Sequence, residues 1–237
     1  MNMKNKELRV TIAFIVTYVV GMSYADILSG RIGVNKSITF PFSLILTIFL
    51  LLYINKRGLS SRYGLKKVEG KSKTYLWFIP LVMIASVNIW FGIIMNMSVM
   101  ESIFYFFTMI GAGIIEEILF RGMLYKTMAE NNEKSAIVLS SLLFGIGHLV
   151  NLINGSGAEL VSNICQVLYA FSVGFMFVIL FRKSGSIIPG IITHSILNAL
   201  STFNNEALAI KYEIPVSIFL IVLSLLYSVF LMNDKAK

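Results

Sequence analysis

The sequence predicts an all-α fold, a polytopic transmembrane helix bundle of about eight spans with both termini cytoplasmic. Three observations carry this reading. Of 237 residues, 57% are apolar and 14% charged, against about 25% charged in soluble domains, and the mean hydropathy is +0.79. The apolar residues come in continuous runs of roughly 17–25, long enough to cross a bilayer as helices and lacking the alternation of barrel strands. The basic residues fall between these runs.

Taken in order, the runs place spans at about 9–28, 38–54, 74–95, 103–125, 135–153, 160–181, 186–203 and 214–232. The first follows Lys4, Lys6 and Arg9. It ends near Ser23-Tyr24-Ala25, a small-x-small string like a signal-peptidase site, but the apolar stretch resumes at Ile27 and Leu28, which favours an uncleaved span. The second is followed by the most basic segment of the chain: Lys56, Arg57, Arg62, Lys66, Lys67, Lys71 and Lys73. Within it, Leu59, Tyr63, Leu65 and Val68 suit either an amphipathic piece at the membrane surface or a solvated loop. Arg121, Lys126 and Lys134 flank the fourth span's end, Arg182 and Lys183 follow the sixth, and Lys235 and Lys237 end the chain. These alternate connections hold 17 of the 20 basic residues. Both termini and the basic loops are therefore expected in the cytoplasm.

The net charge of +8 fits juxtamembrane orientation and contact with anionic membrane lipid better than nucleic acid, which is not an expected partner. The single cysteine, Cys165, excludes a disulfide framework and a multi-cysteine zinc site.

Ionisable residues inside the spans carry the functional signal, because each costs roughly 2.5–3.5 kcal/mol on insertion scales. The fourth span reads GAGIIEEILFRG from Gly111 to Gly122. Glu117 and Arg121 stand one helical turn apart in the favourable order. Glu116, rotated by about 100°, points elsewhere and stays available as a general base. A purely structural charge cluster is the bland alternative. The fifth span places Phe144 one turn before His148, with Gly145 and Gly147 suited to close helix packing. In the seventh, Pro189 occupies the first turn, and His194 and Asn198 share a face. At 1.5 Å per residue, Glu116 lies roughly 15 Å from Lys126, His194 roughly 16 Å from Lys183 and His148 roughly 21 Å from Lys134. A shared depth favours one site, reached from the cytoplasmic side.

EEILFR (116–121), FGIGH (144–148) and HSILN (194–198), in that order and inside membrane spans, resemble the three motifs EExxxR, FxxxH and HxxxN/D of the CPBP family of intramembrane proteases, also called the Abi or CAAX-protease family. The resemblance covers about residues 100–205. It divides the chain into N-terminal helices with the basic loop (1–100), a catalytic core (101–205) and a C-terminal helix and tail (206–237). It implies an intramembrane endopeptidase of a bacterial plasma membrane, acting on a small peptide or membrane-anchored protein in bacteriocin or peptide-signal maturation, self-immunity or CAAX-type processing. Glu116 would activate water, His148 and His194 would orient that water or bind a metal, Asn198 would stabilise the oxyanion, and Glu117 with Arg121 would hold the site. Glu116, His148 and His194 are enough ligands for an open Zn2+ site and enough to polarise water without one; two histidines and a carboxylate at one depth tilt the expectation to a metalloendopeptidase, with a metal-free glutamate mechanism as the alternative. The competing classes are a non-catalytic partner of a sensor kinase or toxin receptor, and a proton-coupled transporter. The absence of paired repeats and broken helices disfavours the second.

Overall fold

The computed structural model describes residues 3–69, 78–154 and 159–233, and every long element is a helix. In chain order these are α1 (Met3–Ile32), α2 (Thr39–Lys56), α3 (Ile79–Ser86), α4 (Val99–Glu116), α5 (Lys126–Ala129), α6 (Glu133–Gly147), α7 (Leu160–Ser184), α8 (Ile188–Leu200), α9 (Glu206–Lys211) and α10 (Glu213–Asn233). A π-helical stretch, Glu117–Tyr125, joins α4 to α5, so that one continuous helix runs over Val99–Ala129.

Among the described residues, six helices are long and apolar enough to cross a membrane: Asn5–Ile32, Thr39–Lys56, Val99–Ala129, Glu133–Leu152, Leu160–Ser184 and Glu213–Asn233. The other two expected spans form shorter helices. Residues 74–77 of the third lie outside the described residues, and the apolar helix there covers Ile79–Ile89. It stops where Asn88 donates its side-chain amide to the Leu197 carbonyl (2.7 Å) and Gly92 turns the chain at φ 100°. The seventh is α8, 13 residues long, or about 20 Å at 1.5 Å per residue. It packs against α4 and α3. α7 is flanked by α6 and α10, and α4 by α2 and α8.

Hydrogen bonds sort the helix ends into two groups. At the basic end, Arg62 bridges Glu7 (2.9 Å) and Glu130 (2.6 Å), Tyr63 donates to Glu7, Arg182 meets Glu133, and the Ile187 amide donates to the Gly64 carbonyl. Lys71 and Lys73 lie outside the described residues, and the described part of the segment after α2, residues 57–69, is thus neither a surface helix nor a free loop. It folds inward, burying Tyr63 and clasping α1, α5 and α8. Burial, then the Glu7 hydrogen bond, holds the Tyr63 phenol above its ordinary pKa. Gly64 (φ 75°) makes the turn possible, since a side chain there would strike Phe181. At the opposite end, Lys36 pairs with Asp26 (2.8 Å), Asn35 donates to Glu101, Asn163 to the His148 carbonyl, and Ser162 to Glu213.

The α4–α8 crossing depends on Gly113, where an added Cβ would lie 2.7 Å from the Ser195 backbone. Gly145 plays the same part between α6 and α7, facing the Val167 carbonyl, whereas Gly147 has open space around it. Gly113→Ala is expected to lower the thermal stability of the purified protein by about 1–3 kcal/mol, the range for overpacking. Gly30→Ala, with nothing within 4 Å of its Cβ position, is expected not to lower it; equal losses at both positions would contradict the close crossing.

Candidate functional site

The continuous Val99–Ala129 helix starts in a capping box, in which Ser98 accepts from the Glu101 amide and the Glu101 side chain accepts from Ser98. At Glu117 it widens into the π stretch. Such stretches cluster at functional sites, because they re-aim side chains without ending the helix. At the start of this one Glu116 and Glu117, both with α-helical backbone angles, reach opposite edges of one imidazole. His194 Nδ1 lies 2.9 Å from Glu117 Oε1, and His194 Nε2 lies 3.4 Å from Glu116 Oε2.

Glu117 is 1% exposed and carries two partners, His194 and Arg121, the latter with Nη1 at 3.0 Å. The expected one-turn ion pair is therefore present, and the histidine on the same carboxylate is an addition to it. Arg121 is equally buried. Its nitrogens make no aligned hydrogen bond among the described residues. The 3.0 Å approach is thus a charge contact, and the guanidinium lies flat over Phe144 at 4.0 Å from the ring centroid, a cation–π arrangement. Phe144 also meets His148 and His194 edge-on, with ring centroids at 5.3 and 5.7 Å. The aromatic of FxxxH is the common wall of the arginine and both histidines.

Two glycines make room for this pair. A Cβ at Gly174 would lie 2.8 Å from Arg121 Nη2, and one at Gly190 would lie 3.0 Å from Glu117 Oε2. A carboxylate on Nδ1 fixes an imidazole's tautomer, with the proton on Nδ1 and the lone pair on Nε2. Assigned in this way, His194 presents Nε2 toward Glu116.

Glu116 is less enclosed, with 13% of its side chain exposed. Tyr18, on α1, donates to its Oε1 at 2.5 Å. The sequence reading missed Tyr18. A hydroxyl 98 residues away in the chain has no local signature, although a tyrosine at mid-depth of the first span was a weak cue. α1 runs through the Ser23-Tyr24-Ala25 string to Ile32, and a cut there would separate this hydroxyl from the bundle.

Glu116, His148, His194 and Asn198 line one cavity of about 550 Å³. The structure thus brings together all four residues assigned to chemistry, while Glu117 and Arg121 lie behind them in the core. Among the described residues, the rings of His148 and the carboxamide of Asn198 hydrogen-bond to neither glutamate. The cavity does not open toward the basic end, as depth counting suggested. Its lining starts at Tyr18, Phe120, Phe144 and His194 and continues only toward the opposite end, through Asn88, Asn151 and Asn204. Below that level the bundle is filled by Ile118, Leu119, Met123, Met176 and Leu180.

The zinc expectation can be tested on these donors. Among the described residues, no group of three His, Cys, Asp or Glu side chains able to hold a metal is assembled. His194 uses Nδ1 on Glu117, and Glu116 uses Oε1 on Tyr18. His148, His194 and Glu116 thus share a cavity without forming a three-ligand set among the described residues, while His194 Nε2 and Glu116 Oε2 both remain available.

Glu117→Gln leaves Arg121 buried without a counter-charge and removes the acceptor that orients His194. It is expected to cost about 3–5 kcal/mol of stability, the cost of breaking a buried pair. Thermal or denaturant unfolding in bicelles measures this, and an unchanged midpoint would show that Glu117 does not hold Arg121 and His194.

Comparison with known proteins bears on the same segment. Residues 98–200 match the family model described as type II CAAX prenyl endopeptidase Rce1-like. The match runs from the N-cap of α4 to the last residue of α8 and so contains all seven motif residues. No curated protein and no solved structure matches the chain. The chain is a multi-pass helical membrane protein whose residues 98–200 match the Rce1-like family, the CAAX-protease grouping that its three motifs resemble.

Proposed function

We propose that the protein is an intramembrane endopeptidase of a bacterial plasma membrane, hydrolysing a peptide bond with a water activated by Glu116. The observation that carries this is the setting of Glu116. One carboxylate oxygen is taken by Tyr18, and the other stands 3.4 Å from His194 Nε2 at the floor of an open cavity. A gap of that length leaves the facing oxygen and nitrogen free to engage a third group.

In this reading a water sits against Glu116 Oε2 and is oriented by His194 Nε2. Glu116 takes its proton as the water oxygen attacks the carbonyl carbon of the scissile bond. The tetrahedral oxyanion is met by the Asn198 amide and by a ring N–H of His148. Glu116 then returns the proton to the leaving nitrogen, the C–N bond breaks, and acid and amine products depart. Tyr18 holds the Glu116 carboxylate in place, Glu117 fixes His194, and Arg121 balances the buried charge. Bacteriocin or peptide-signal maturation, self-immunity and CAAX-type processing all require this one hydrolysis, on a peptide or a membrane-anchored protein.

Glu116→Gln keeps the side-chain shape but cannot accept the proton. It is expected to abolish cleavage by the purified protein with membrane insertion and yield close to wild type; near-wild-type cleavage would sink the assignment. Tyr18→Phe removes one hydrogen bond to a charged group, about 1.5–3 kcal/mol, and is expected to lower kcat by about tenfold or more with little change in KM. A change confined to KM would make Tyr18 a substrate contact instead. Activity is also expected to survive a strong chelator once metal analysis finds none bound. Loss that zinc restores would return His148, His194 and Glu116 to the role of ligands.

A further inference from the structure

The cavity is one-sided, and the side is informative. The lining on each helix extends from the Glu116 level in one direction only. On α1 it covers Tyr18 to Asp26, on α7 Gln166 to Val173, and on α10 Glu213 to Leu220. None of Arg57, Arg62, Lys66, Lys126 and Arg182 touches it. The mouth lies among the connections at the end opposite the basic loops, beside Lys36, Phe91, Asn154 and Asn205. At the basic end the path is closed by the core and by the Arg62–Glu7–Glu130 clasp.

The chemistry of the wall is as distinctive as its direction. Between the floor and the mouth it carries Asn88, Asn151, Asn154, Gln166, Asn198 and Asn204. Several are already oriented. Asn154 Nδ2 donates to Asn151 Oδ1 (3.2 Å), Asn151 Nδ2 to Gln166 Oε1 (3.0 Å), and Asn88 to the Leu197 carbonyl (2.7 Å). Among the described residues, the carboxamides of Asn198 and Asn204 make no hydrogen bond. The charges at this end are neutralised or engaged, Lys36 by Asp26 (2.8 Å) and Glu213 by Ser162 (2.9 Å). A carboxamide offers a donor pair and an acceptor, which is what an extended peptide backbone needs on both its edges. A lipid chain would leave these amides unpaired, while the apolar remainder of the wall, including Met22, Phe91, Met109 and Leu220, suits the side chains of a peptide. The volume of about 550 Å³ falls within the roughly 300–1,000 Å³ of sites that enclose a small ligand.

We infer that the substrate is an unlipidated peptide segment that reaches Glu116 from the face opposite the basic loops and is held along its backbone by this carboxamide wall. Under the positive-inside assignment that face is extracytoplasmic, so the segment is one delivered to the outer side of the membrane. The inference rests on the proteolytic reading of Glu116 for its outcome, but not for its route of entry.

The test uses the full-length chain with Cys165→Ser and one added cysteine, Met22→Cys, on the α1 wall of the cavity. The probe is a membrane-impermeant cationic methanethiosulfonate, applied to intact cells and to inverted vesicles. Labelling at least tenfold faster from outside intact cells is expected, with Lys66→Cys at the basic end showing the reverse. Labelling of Met22→Cys mainly in inverted vesicles would overturn the route. A millimolar mixture of randomised unmodified decapeptides is expected to slow the outside labelling at least threefold, and Asn204→Leu to remove that protection without changing the labelling rate itself. No protection, or protection by a farnesylated peptide alone, would overturn the peptide occupant. The same measurements on Glu116→Gln are expected to be unchanged. If cleavage by the wild type fails while these results hold, the proteolytic reading falls and the entry route stands.

Discussion

A carboxylate that is 1% exposed inside a membrane protein must be compensated, and Glu117 is compensated twice, by the charge of Arg121 at 3.0 Å and by the Nδ1–H of His194 at 2.9 Å. Much of the local architecture follows from holding those three groups together. Gly190 and Gly174 leave room for the carboxylate and the guanidinium, Gly113 lets α8 approach closely enough for His194 to arrive, and Phe144 covers the cation. A buried ion pair is weak evidence for stability, since an apolar replacement often serves as well. Its value here is positional. The pair turns one histidine so that Nε2 faces Glu116, and the two adjacent glutamates, about 100° apart around the helix, take opposite edges of its ring.

The bundle divides across its thickness. Toward the basic end it is a filled core, closed by Tyr63 and the Arg62 clasp. Toward the opposite end it is hollow, with carboxamides set along a largely apolar wall and Glu116 at the boundary. The packed half supplies the rigidity that fixes Glu117, Arg121 and His194, and the hollow half admits water and a ligand to the residues facing it. Hydrolysis inside a membrane needs both, because an unsatisfied polar group in hydrocarbon is costly and water must still reach the base.

The sequence made the helices legible because lipid leaves few alternatives, and the three motifs legible because ionisable residues are rare at that depth. The Glu117–Arg121 pair followed from the one-turn spacing, and the common depth of Glu116, His148 and His194 from counting 1.5 Å rises. What escaped was tertiary. The Tyr18 hydrogen bond joins segments with no local relation, and the π stretch arises where packing re-aims a helix that reads as regular. Depth counting measures the distance to one membrane face and is silent about which face the cavity meets. For that reason the expected approach from the basic side gave way to the opposite one. The seventh expected span, 186–203, is matched by α8 and the helical turn Ser201–Phe203, while residues 74–77 of the third lie outside the described residues.

The account stands on Glu117 and His194 acting as one unit, and a double-mutant cycle on stability tests that most directly. Glu117→Gln and His194→Phe, the second keeping an aromatic ring between Phe144 and Phe177, are made singly and together and unfolded in the same bicelles. Coupled residues give a double variant that loses less than the sum of the single losses by about 1 kcal/mol or more. That is the result predicted here. Losses that add within about 0.3–0.5 kcal/mol, the behaviour of independent sites, would contradict it.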